Sequence, residues 1–268
     1  MATSKFIEFK NTPIRYTSSG KGRAVVLLHG FLESSAMWTD VVKKLARTNR
    51  VITIDLLGHG ETPSIGYVHT MELIAASVKH VLDKLKLRKY VLIGHSMGGY
   101  VALAFAELHS NNLAGIGLFH STGQPDTEEK KKNRDRAIAA VKANHIHFID
   151  AFFANLFAPE NVDRLAIEIS KMSKEAQNMS KQSIVNALEG MKIRKSREHV
   201  LKNSTLPILF ILGKQDSRID YEEGLKEVRK LKNTTLLSLE NAGHMGFLEA
   251  KEECISAIKK FVSKCYKA

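Results

Sequence analysis

The apolar tetrapeptide at 90–93 (YVLI) runs straight into Gly94-His95-Ser96-Met97-Gly98-Gly99, and a helical pattern rich in small residues follows over 98–109. A serine with glycines two positions to either side, set between strand and helix, marks a very tight turn. Such a turn forces strained backbone angles on its central residue. Side chains at 94 and 98 would collide, and glycine avoids the collision. The turn lifts the Ser96 hydroxyl to the edge of a sheet. It also sets the backbone at a helix N-terminus, where the Met97 N–H can face a developing oxyanion.

The rest of the chain supplies that sheet. Residues 5–10 and 14–17 read as an opening hairpin turned near Asn11-Thr12-Pro13. Continuous apolar runs at 24–28, 51–54, 90–93, 113–119 and 207–212, with a further strand at 234–239, fit strands buried on both faces. Amphipathic stretches at 35–47, 70–85, 98–109, 221–231 and 250–264 separate them. Strand–helix alternation predicts an α/β class, with a mostly parallel sheet covered by helices on both faces. Between 121 and 203 the rhythm breaks, and helices are expected at 128–143, 146–157, 162–173, 181–191 and 197–202. With no strand to add to the sheet, this block is expected to be an inserted helical cap, a lid over the C-terminal edge where open α/β sheets bind ligands. The expected domains are therefore a core of 1–120 and 204–268 and a cap of 121–203. Phe148, Phe152, Phe153, Leu156, Phe157, Met172 and Met179 are the cap's apolar candidates for packing or pocket lining.

A serine hydroxyl needs a base. Of eleven histidines, His244 sits on a glycine-flanked loop, Asn241-Ala242-Gly243-His244-Met245-Gly246, directly after a strand. His59, His69, His80 and His109 read as surface residues, His29 as a local brace, and His145 and His147 as cap residues. His95 adjoins the nucleophile but points away from it on so tight a turn. An acid must hold the imidazole. Asp216 ends Gly213-Lys214-Gln215-Asp216 after the strand at 207–212 and is favoured over Asp220, which can simply cap the next helix. The second oxyanion donor is expected from His29-Gly30-Phe31, as the Phe31 N–H. The turn-rich segment 55–62 is expected to shape the floor of the site without chemistry of its own.

HGF (29–31), DLLGHGET (55–62), GHSMGG (94–99), GKQD (213–216) and NAGHMGFLE (241–249) together resemble the α/β-hydrolase superfamily. The likeness is to its small serine esterases, lactonases, carbon–carbon bond hydrolases and cofactor-free haloperoxidases. It spans nearly the whole chain outside 121–203. It implies a Ser96–His244–Asp216 triad, an oxyanion hole of Phe31 and Met97 N–H groups, and ester hydrolysis through an acyl-enzyme without metal or organic cofactor. Serine at the elbow disfavours the haloalkane dehalogenase and epoxide hydrolase branches, which carry aspartate there. HGF in place of HGGG disfavours the hormone-sensitive-lipase kind. Many relatives carry proline where this chain has Asp220. Acyl transfer, perhydrolysis, and a ligand receptor built on a hydrolase scaffold are the alternative functions.

Lys plus Arg number 40 against 28 Asp plus Glu, a net +12. The charges are dispersed, and the run 130–136 reads as a solvated helix face with i,i+4 pairs, so no nucleic-acid partner is expected. Cys254 and Cys265 lie eleven residues apart on one expected helix, roughly 16 Å along its axis, too far for a mutual disulfide. No leader is visible at Met1–Phe6 and no apolar run spans a membrane. A cytoplasmic protein acting on a small-molecule ester or acyl substrate is expected, with its oligomeric state left open.

Overall fold

The computed structural model describes residues 3–267. Met1, Ala2 and Ala268 lie outside the described residues, although the reading of the N-terminus and the expected core boundaries include them. The chain opens on a hairpin of β1 (Lys5–Phe9) and β2 (Thr12–Ser19). Lys10 and Asn11 take φ of 50° and 60°, the left-handed pair that a two-residue hairpin turn requires. Pro13, expected in the turn, lies in β2 instead. The apolar runs become β3 (Arg23–Leu28), β4 (Asn49–Ile54), β5 (Tyr90–His95), β6 (Leu113–Phe119), β7 (Ile208–Gly213) and β8 (Thr234–Leu239).

The eight strands form one sheet in the order β1-β2-β4-β3-β5-β6-β7-β8. β2 runs antiparallel to β1 and β4, and all later pairings are parallel. Every residue of β5, β6 and β7 is buried, as expected for strands covered on both faces. Side chains such as Val25, Val26 and Leu27 are wholly enclosed, each burial worth about 1.5–3 kcal/mol.

Ten α-helices follow in chain order among the described residues. α1 (Thr39–Leu45), α2 (Met71–Lys84) and α3 (Met97–His109) cover the first half of the sheet. α4 (Glu128–Ala154), α5 (Ala166–Ala176), α6 (Lys181–Lys192) and α7 (Glu198–Lys202) lie between β6 and β7. α8 (Tyr221–Arg229), α9 (Gly246–Glu249) and α10 (Lys251–Cys265) complete the chain. α2 packs on α3 and α1 on α10, one pair to each face. Cys254 and Cys265 are buried free thiols on α10, and burial pushes Cys265 up to about 12.

The block between β6 and β7 differs in detail from the sequence reading. The two helices expected at 128–143 and 146–157 form one span with a break at Asn144 (φ −153°, ψ 95°). The Asn144 side chain accepts the His147 N–H at 3.1 Å, an N-cap that restarts the helix. α5 begins at 166 rather than 162 because Pro159 opens a 3-10 turn over 159–161. The charge run is also not a simple solvated face. Lys131 pairs with Glu128 three residues back (2.8 Å), Asp135 pairs with Lys192 (2.7 Å), and Arg134 turns inward onto buried Asp126 (3.1 Å). Among the described residues no helix is long and apolar enough to cross a membrane.

Candidate active site

β5 ends in the middle of the sheet, so the turn after it projects Ser96 from the centre of one edge. Ser96 sits at φ 49°, ψ −114°, a conformation costing about 1–3 kcal/mol. Hydrogen bonds to its backbone, one of them the Tyr100 N–H to the Ser96 carbonyl at 3.3 Å, hold it there. The Ser96 N–H donates to the Phe119 carbonyl (2.8 Å), and the Ser96 carbonyl accepts from the Gly99 N–H (2.9 Å) and the Ser121 hydroxyl (2.9 Å). A Cβ on Gly94 would stand 2.1 Å from the Gly98 carbonyl oxygen, and one on Gly98 would stand 2.5 Å from that of His29. Both glycines are required by close approach.

The loop after β8 brings His244 Nε2 to 2.9 Å from Ser96 Oγ. Its Nδ1 lies 2.9 Å from each oxygen of Asp216, which follows β7. The carboxylate fixes the tautomer: Nδ1–H donates to Asp216, which leaves Nε2 to accept from the serine hydroxyl. Asp220 accepts the Glu223 N–H at 2.8 Å and caps α8. Of the two aspartates considered, Asp216 is the one brought to the histidine. Burial works against its ionisation, yet the two imidazoles beside it hold its carboxyl well below the usual carboxylate range.

The HGF loop lies against the elbow. His29 bonds locally, with Nδ1–H donating to the Gly30 carbonyl (2.7 Å) and Nε2 accepting the Leu56 N–H (2.9 Å). Among the described residues, neither the Phe31 nor the Met97 N–H has a hydrogen-bond acceptor, so both donors are open to a ligand. The segment 55–62 is tied down by Asp55, whose oxygens accept the Ser35 and Glu61 N–H groups at 2.9 Å each. His59 and His69 are fully buried in and beside this loop, which corrects the surface placement expected for them.

A parallel sheet, an interior strand that ends in a strained serine, and a carboxylate and a histidine from the loops after β7 and β8 make one pattern. Residues 23–251 match the family described as alpha/beta hydrolase fold. The chain belongs to the α/β-hydrolase family. The hydrolase is 30% identical to the putative 2-succinyl-6-hydroxy-2,4-cyclohexadiene-1-carboxylate synthase of Bacillus subtilis, over 76% of this chain and 79% of that one. It is 24% identical to the 2-hydroxy-6-oxo-6-(2'-aminophenyl)hexa-2,4-dienoic acid hydrolase of Metapseudomonas resinovorans, over 97% and 91%. It superposes on a malate-bound thermophilic esterase from Thermogutta terrifontis with a TM-score of 0.91 and 28% identity, covering 99% of each chain.

Three groups at the centre of the hydrolase were not found in its sequence. The first is His120, at the end of β6. Its Nδ1 lies 3.0 Å from Asp216, and its Nε2 accepts the Gly246 N–H at 3.2 Å. Burial pushes its pKa down to about 4, so it stays a neutral donor to the Asp216 carboxylate. His120, Asp216 and His244 have the residue types of a metal set, but each Nδ1 is spent as a donor on the shared carboxylate.

The second is a buried ion pair beneath the elbow. His95 Nδ1 faces Glu33 (3.0 Å) and its Nε2 faces the His244 carbonyl (2.9 Å). Two acceptors on one ring require the imidazolium. Burial opposes that charge, but Glu33 above all raises the His95 pKa. Glu33 also accepts the Gly30 N–H at 2.6 Å, so one ion pair links the 29–31 loop, the elbow and the loop of His244. The third is Glu249, whose carboxylate accepts the Gly243 and Met245 N–H groups at 3.0 Å.

Glu33→Ala strands a buried imidazolium, and the expected cost is about 3–5 kcal/mol of stability. Glu33 is lowered from 4.5, so its share is present above that value and fades as pH falls through the folded pKa. His95 is raised from 6.5, so its share is present below that value and is lost as pH rises through the folded pKa. Thermal melts of wild type and variant between about pH 5 and 9 check this. The gap is expected to be widest at the acid end of that range and to narrow toward the alkaline end; a constant gap would reduce the effect to packing.

Proposed function

We propose that this chain is a serine hydrolase that cleaves a carboxylic ester, or a related acyl substrate, through an acyl-enzyme. The observation that carries the reading is the hydrogen-bonded line Ser96 Oγ–His244 Nε2 at 2.9 Å and His244 Nδ1–Asp216 at 2.9 Å. His244 takes the serine proton as Oγ bonds to the carbonyl carbon. The oxyanion formed is held by the Phe31 and Met97 N–H groups. The leaving alcohol then departs with the proton from His244, and water, deprotonated at the same nitrogen, releases the acid and frees the serine. The residues supply every proton transfer themselves.

α4–α7 act as the cap over this edge. Phe152 of α4 stacks edge-on against Phe31 (5.4 Å) and brings an apolar wall to the oxyanion loop. The Thermogutta terrifontis likeness supports an ester substrate. The names of the Bacillus subtilis and Metapseudomonas resinovorans relatives place a carboxylate on their compounds.

The test is a panel of 4-nitrophenyl esters of increasing acyl length, together with an alkyl fluorophosphonate. The expected result is nitrophenol release with a clear length preference, and a single phosphonyl adduct on Ser96. A folded protein that turned over no ester and took no adduct would overturn the proposal. Added alcohol separates hydrolysis from acyl transfer, because a transferase diverts acyl groups to the new ester.

A further inference from the structure

Arg218 follows the triad acid by two residues. Its backbone N–H donates to Asp216 Oδ1 at 2.8 Å, which fixes the start of the side chain beside the triad. The guanidinium stands 4.7 Å from the centroid of Phe152. Phe152 in turn meets Phe31, whose N–H is one of the two open donors of the elbow region. Arg218 therefore places a permanent charge two aromatic rings from the oxyanion loop.

Other arginines of this region are each paired with a carboxylate. Arg134 and Arg194 share Asp126 (3.1 and 2.6 Å), and Arg197 holds Glu107 (3.0 Å) and Glu72. Among the described residues, the Arg218 guanidinium has no carboxylate within 4.0 Å and no hydrogen-bond acceptor. Its residue is exposed. Burial, and then the Arg134 charge, push its pKa down, while the nearby Asp216 carboxylate pulls it back up. The exposed guanidinium thus has the Phe152 ring on one side and is open to ligands from solvent on the other. Five N–H donors standing over an aromatic ring, with no carboxylate in salt-bridge reach and Asp216 committed to its own four donors, can receive a carboxylate from a ligand.

Resting on the acyl-hydrolase reading, we infer that the substrate bears a carboxylate remote from the scissile carbonyl and that Arg218 binds it. The bland account is an arginine stem covering Phe152 for packing alone. The two differ in what loss of the charge does to selectivity.

The experiment uses two esters of one chain length, 4-nitrophenyl hexanoate and the mono-4-nitrophenyl ester of adipic acid, with wild type, Arg218→Gln and Arg218→Lys. The ratio of kcat/KM for the adipate ester over the hexanoate is expected to fall about 10- to 100-fold in Arg218→Gln, mostly through KM. Arg218→Lys, keeping charge but not the fork, is expected to recover part of it. An unchanged ratio overturns the inference. A second arm is independent of turnover: adipate binding to the Ser96→Ala protein by calorimetry, with and without Arg218→Gln. Binding lost with the arginine supports the carboxylate site even where neither ester is cleaved, a result that would count only against the esterase reading. Adipate that binds neither protein, or both equally, overturns the site.

Discussion

Ser96→Ala is expected to lower kcat on the best ester of the panel by about 10⁴- to 10⁶-fold while leaving a cooperatively folded protein. The size follows from the geometry. Among the described residues only the Ser96 hydroxyl lies on His244 Nε2, at 2.9 Å, so its loss removes the covalent route of the proposed mechanism. What remains is carbonyl polarisation by the Phe31 and Met97 N–H groups with water as nucleophile. The fold survives because Ser96 is held by its backbone: the bonds to Phe119, Gly99 and Ser121 all use its N–H or carbonyl. Steady-state kinetics on both proteins, with circular dichroism melts alongside, is the check. A loss of less than tenfold would place the nucleophile elsewhere.

Asp216→Asn should cost about 10⁴ in kcat. The carboxylate accepts four donors: His244 Nδ1, His120 Nδ1 (3.0 Å), and the Arg218 and Ile219 N–H groups (2.8 and 3.0 Å). An amide has one oxygen for these four. With that oxygen kept on the two backbone donors, its NH₂ confronts two imidazole N–H groups. His244 escapes by moving its proton to Nε2, where it can no longer accept from Ser96. His120 cannot yield as easily, since its Nε2 already accepts the Gly246 N–H. The variant should also lose acid sensitivity. A carboxyl held below its ordinary 3.8 contributes stability above that value and loses it as pH falls through the folded pKa. The stability gap between wild type and Asp216→Asn is therefore expected to shrink from about pH 5 downward. Retained kcat with a widening acid gap would remove Asp216 from the triad.

The parts of this site carried by local rules were legible in the sequence. Tight turns demand glycine, so 94, 98 and 30 announce the elbow and the loop packed against it. A polar residue at the end of an apolar run announces a strand end at the sheet edge, and so Asp216 could be read. His120 obeys the same rule, ending the run at 113–119, but no glycine flanks it. Its role depends on the separation of β6 and β7, which sequence does not encode locally. Glu33 and His95 lie 62 positions apart and meet only because the sheet sets β3 beside β5. The helix break at Asn144 came from a capping side chain inside a helical pattern, where a polar residue also fits an exposed face. Hydrophobic periodicity put the strands at their right places but said nothing of Arg134 turning inward, since a charge on a helix looks solvated until its partner is known.

Glu249 has a further consequence. Besides the base loop, its carboxylate accepts the Ala158 N–H (2.8 Å) and the Asn161 side-chain amide (2.9 Å), while the His244 N–H donates to the Leu156 carbonyl (2.7 Å). The segment 156–161 is thus riveted to the loop that carries the base. Any motion of the helices between β6 and β7 is constrained at this rivet. Anyone grafting these helices onto a different hydrolase has to carry Glu249 with them, or the transplanted segment will draw His244 out of line with Ser96.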